Sequence, residues 1–68
     1  MSRYYWACDL VGSKYSPTLR EDITVRIHDR VADDRVVYTA DLPQVTFDES
    51  RVQSARVLDL FLSTQLEN

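Results

Sequence analysis

Sixty-eight residues with eleven acids and eight bases, a formal net charge of −3, predict one small domain spanning 1–68. They argue against a chain that adheres nonspecifically to nucleic acid, which needs surplus cations. One glycine, one histidine and one cysteine are too few for a phosphate-cradling loop, a zinc cage or an internal disulfide.

No cofactor or metal is therefore expected. The apolar fraction of 44% is that of a globular chain. No apolar run approaches the roughly 20 residues that cross a bilayer. A lone thiol, with no export-signal pattern at the first residues, predicts a cytoplasmic setting.

The first predicted strand is Arg3 to Val11. Its alternation places Tyr4, Trp6, Cys8 and Leu10 on a buried face and Tyr5, Ala7, Asp9 and Val11 on a wetter one. Gly12 to Arg20 carries Gly, two Ser and Pro and reads as a long loop. Its Lys14, Tyr15 and Arg20 combine charge with an aromatic ring, and Tyr15 is a candidate contact residue.

Asp22 to His28 alternates without error, with Ile23, Val25 and Ile27 inward and Thr24, Arg26 and His28 outward. Asp33-Asp34 marks a turn, so a third strand, Arg35 to Leu42, pairs antiparallel with the second. Val36, Tyr38, Ala40 and Leu42 are its expected inward set, with Val37 and Thr39 outward. Pro43, which has no N–H to donate, is expected to end it.

A helix then runs from Asp48 to about Gln65. Asp48 is one possible N-cap, with Phe47 and Val52 as a hydrophobic staple. Thr46 with Glu49 offers a capping box instead. Ala55, Leu58, Leu62 and Leu66 line its expected core side. Val57 and Phe61 extend the apolar arc, and Leu60 sits apart.

The order β-β-β-α predicts an α+β domain: a three-stranded antiparallel sheet with one C-terminal amphipathic helix packed on one face. A chain this short buries little core, and a partner or a second copy is a common remedy.

Cys8 and His28 are the only thiol and imidazole, and the alternation sends them to opposite faces, which argues against a catalytic dyad. His28-Asp29 with Asp33-Asp34 lacks the spacing of a calcium loop and reads as a solvated hairpin end. Asp9, Asp22 and Asp41 have no evident pairing.

The expectation is a small non-catalytic protein-binding module: an accessory subunit, regulator or inhibitor, or a homodimer. Its contact surface is the outer sheet face with Tyr5, Arg26 and His28, or the helix flank with Val57 and Phe61. The alternative is a nucleic-acid-binding module using sheet aromatics with Arg3 and Arg26. An enzyme whose site is completed across a dimer ranks last.

Overall fold

The computed structural model describes residues 2–8 and 19–66. Strands β1 (Tyr4–Cys8), β2 (Glu21–Asp29) and β3 (Arg35–Val45) form an antiparallel sheet in sequence order, and helix α1 (Phe47–Leu66) follows. A short 3-10 turn, Arg30–Ala32, links β2 to β3. The domain is α+β, as the patterning predicts. None of the described helices is long and apolar enough to cross a membrane.

β2 is central, and its alternation organises the rest. Ile23, Val25 and Ile27 are buried, and they are the whole set of buried hydrophobic residues among those described. Tyr4, Trp6 and Cys8 of β1 pack against them from one side, with Val37, Leu42 and Val45 of β3 from the other. Leu10, expected to join this face, lies outside the described residues, as do Asp9 and Val11.

β3 departs from its expected pattern at two places. His28 pairs with Val36 but Ile27 pairs with Tyr38, so Val37 is an extra residue on β3. Such a bulge resets which residues face the core. Val36 is therefore exposed opposite His28, and Val37 packs on the core instead. Tyr38, Ala40 and Leu42 keep the predicted face, opposite Ile27, Val25 and Ile23.

The second departure is at Pro43, which does not end the strand. β3 continues to Val45, which pairs with Glu21 across another register shift. Proline is tolerated there because β3 lies at the sheet edge, beside an irregularity. Gln44 takes φ 55°, a left-handed value. Asp22 Oδ1 accepts from its backbone N–H at 2.9 Å, and Arg20 donates to its carbonyl at 3.2 Å, which holds this turn of the chain.

The helix starts by the capping box and not at Asp48. Thr46 Oγ1 accepts from the Glu49 N–H at 3.2 Å, and Glu49 Oε1 accepts from the Thr46 N–H at 2.9 Å. Two otherwise unpaired donors are satisfied reciprocally. The Thr46 N–H first, and the nearby Arg20 charge, hold the Glu49 carboxyl below its ordinary range against the opposing effect of burial. Val52, expected to staple to Phe47, is 57% exposed.

The buried side of α1 is also rotated from the expected one. Ser50 and Ser54 are fully buried, and Val57, Leu58 and Phe61 continue that stripe against the core. Ala55 is exposed, and Leu66 is 87% exposed. The spacing 50, 54, 57, 58, 61 is helical, but its first two members are polar by type. They serve because they are small, and small side chains let a helix lie close to a sheet.

Ser50 Oγ donates a hydrogen bond to the Phe47 carbonyl at 2.6 Å. Ser54 Oγ has no hydrogen-bond partner among the described residues. Replacing Ser54 with alanine is expected to raise stability by about 1 kcal/mol, through helix propensity and removal of a buried unpaired hydroxyl. A urea melt measures it, and a destabilised variant would show that the hydroxyl is bonded after all.

Candidate functional site

The face of the sheet turned away from the helix carries Tyr5, Arg26 and His28, as predicted. Tyr5 lies opposite His28, and Ala7 opposite Arg26, across β1 and β2. The Tyr5 and His28 rings stack with centroids 5.0 Å apart and planes 13° from parallel. The Arg30 guanidinium lies 4.3 Å from the Tyr5 ring centroid, a cation–π contact. Arg26 sits half-buried one pleat along, opposite Thr39.

These side chains converge on the β2–β3 turn. Tyr5 donates its hydroxyl proton to Asp34 Oδ1 at 2.9 Å. Burial, and then this bond to a carboxylate, push the Tyr5 hydroxyl above its ordinary pKa. His28 Nδ1 lies 2.8 Å from the Asp34 carbonyl, which places the ring proton on Nδ1. One residue thus receives bonds from both β1 and β2.

The other side of the turn is held by Asp29, which is almost wholly buried. Arg3 Nε and Nη2 each donate to one of its oxygens at 2.9 Å, a bidentate pair. Asp29 Oδ1 also accepts from the Val31 N–H at 3.0 Å and so caps the 3-10 turn. The Arg3 bond, first among the causes, holds the Asp29 carboxyl below its usual range although burial opposes it. Arg30 donates from its backbone N–H to the Arg3 carbonyl at 2.8 Å and from Nη1 to the Ser2 carbonyl at 3.1 Å.

Within this frame Asp33 and Asp34 both take left-handed backbone, φ 58° and 56°. Aspartate tolerates that region better than most residues, but two in succession are uncommon. The turn holds Val31 out to solvent, 74% exposed.

The second predicted surface, the helix flank, is partly covered by the chain itself. Phe61 meets Tyr4 edge-on at 5.0 Å and Tyr38 at 6.0 Å, and Val57 packs on the core. What stays open is a groove of about 260 Å³ lined by Tyr38, Val57, Leu60, Phe61 and Thr64. Leu60 stands at its rim, 68% exposed, and Tyr38 is 49% exposed.

Tyr15, Lys14 and Gly12 lie outside the described residues. Cys8 packs against the core while His28 stacks on the opposite face, so the two do not meet. Among the described residues no three of His, Cys, Asp and Glu are grouped to hold a metal ion.

Alternation alone put Tyr5 and His28 on one face, and the register of β1 on β2 makes them neighbours. Arg3–Asp29, Arg30, Asp34 and Val31 were not legible, and the available signal was the Asp33-Asp34 pair. Two acids at a turn where Asn-Gly or Asp-Gly would be usual mark a turn that needs outside support.

The fold and this site define a small three-stranded α+β domain with a braced hairpin end. Comparison with protein-family models, with curated proteins and with solved structures finds no match.

Proposed function

We propose that the chain is a small protein-binding module, an accessory subunit, regulator or inhibitor of a partner protein, and that the β2–β3 turn is its contact end. The observation that carries this reading is the bracing of that turn around an exposed Val31. A hairpin turn of this kind takes left-handed backbone at both central residues, which Asn-Gly or Asp-Gly adopts at little cost. Here both aspartates are left-handed, and the second, Asp34, is held by the Tyr5 hydroxyl at its carboxylate and by the His28 ring at its carbonyl. Left-handed non-glycine backbone costs of order 1 kcal/mol or more per residue and persists where surrounding contacts over-determine it.

Such pre-organisation lowers the ordering cost of association, about 0.5–1.5 kcal/mol for each mobile side chain already fixed. The partner surface this end fits has an apolar pocket for Val31 and a polar rim able to meet Arg30, Asp33 and Arg35. The nucleic-acid alternative gains little from the geometry. The Tyr5 ring is already engaged by His28 and Arg30, and Arg3 is engaged by Asp29.

Tagged chain purified from the cells that produce it, with Val31→Asp in parallel, provides the test. A protein that co-purifies with the parent is expected to bind Val31→Asp at least tenfold more weakly, with unchanged far-UV circular dichroism. Equal binding by the two chains would overturn the assignment of the turn.

A further inference from the structure

The outer edge of β3 has no neighbouring strand among the described residues. Between its two irregularities Tyr38–Leu42 pairs regularly with Ile23–Ile27, so its outward backbone groups form a straight row. The devices that blunt an edge, lysine, proline or a bulge, are absent from those five residues, whose single charge is Asp41. The open groove lined by Tyr38, Leu60 and Phe61 adjoins this edge.

We propose that β3 pairs antiparallel with β3 of a second copy, about a two-fold axis at Ala40, to give a continuous six-stranded sheet with both helices on one face. This goes beyond the role of the turn and does not depend on it.

The axis follows from the sequence. Residues directly opposite one another in an antiparallel pair point to the same face. A strand meeting its own copy must therefore place the axis at a residue and not between two. An axis at Asp41 opposes two carboxylates. An axis at Leu42 brings in Pro43, and one at Tyr38 or Thr39 runs into the Val37 bulge.

An axis at Ala40 uses the five regular residues alone. It sets Thr39 opposite Asp41 of the second copy, where a hydroxyl can donate to a carboxylate. It also sets Tyr38 against Leu42 of the second copy, on the helix side, at the mouth of the groove. Both contacts occur twice, so the surface is self-complementary as a two-fold requires. Five paired residues and a groove rim bury roughly 1,000 Å² in total, the low end for specific interfaces, where weak and transient associations are found.

Charge substitution at Thr39 tests the register. Within one chain Thr39 faces Arg26, so Thr39→Asp gains a cross-strand partner and keeps the fold. In the dimer the same change opposes Asp41 of the second copy.

Sedimentation equilibrium of the full chain from about 5 to about 500 µM brackets micromolar affinity. It is expected to show a monomer–dimer equilibrium that Thr39→Asp weakens at least tenfold and Thr39→Lys tightens. Oxidised Ala40→Cys in a Cys8→Ser background is expected to give a covalent dimer, and Ala7→Cys in that background is not. A chain that stays monomeric overturns the proposal. So does a dimer indifferent to charge at Thr39 and not cross-linked through position 40, or a β3 edge filled only by a different protein.

Discussion

Replacing Ile27 with alanine is expected to leave the chain largely unfolded at room temperature. Ile27 is fully buried in the middle of the central strand, with Trp6 across from it on β1 and Tyr38 on β3. Removing a buried isoleucine side chain to its β-carbon costs about 2–5 kcal/mol, because the lost transfer energy is joined by the cavity left behind. A domain of this size rarely holds more than about 3–5 kcal/mol in its core. One substitution is thus comparable with the whole margin. Thermal melts followed by circular dichroism measure it, with Leu66→Ala, at a site 87% exposed, as the expected silent control. A variant that melts within a few degrees of the parent would show that the sheet is not held by its three central side chains.

The second large effect is on acid stability. The Asp29 carboxyl, bound by Arg3 and by the Val31 N–H, titrates in the folded chain below the ordinary value of 3.8. The unfolded chain therefore binds a proton that the folded chain refuses, and stability falls as pH drops. The contribution is complete above the unfolded value and is lost through the lowered folded one. Glu49, lowered from 4.5 by its Thr46 bond, has the same sign.

Urea midpoints are thus expected to be level near neutrality and to fall below about pH 4.5. Asp29→Asn is expected to lower the neutral value and flatten the acid limb. Arg3→Ala, which leaves a buried carboxylate without its guanidinium, is expected to destabilise at neutral pH and, by removing the first cause of the lowered Asp29 carboxyl, to flatten the acid limb as well. An acid limb unchanged in Asp29→Asn would remove Asp29 as its cause.

The sequence was most legible where one physical rule acted alone. β2 alternates because one of its faces is covered by the helix, and Ile23, Val25 and Ile27 lie where the pattern puts them. The Thr46–Glu49 box was legible because both partners lie within one helical turn.

Legibility failed where two rules competed. Val36 and Val37 are the same residue type, so no pattern shows which of them is inserted by a bulge. Pro43 breaks a central strand but not an edge one, and edge position is a property of the whole sheet. Ser50 and Ser54 are polar in any hydropathy scale, yet their size decided the helix orientation. In the site, Tyr5 and His28 share a face by parity. Arg3 and Asp29 stand 26 residues apart, and only the register of β1 on β2 brings them together.

The hairpin end also has a balanced ionic make-up. Arg3, Arg30 and Arg35 gather there with Asp29, Asp33 and Asp34, three cations with three anions, so the chain's surplus of −3 belongs to the remainder of the molecule. A contact region of no net sign exerts little long-range pull on an approaching partner. Encounters through it are expected at the ordinary unassisted pace, on the order of 10⁵–10⁶ M⁻¹s⁻¹, and hardly altered by added salt. Discrimination would then come from shape and short-range bonding after collision, and would appear in how long a complex lasts.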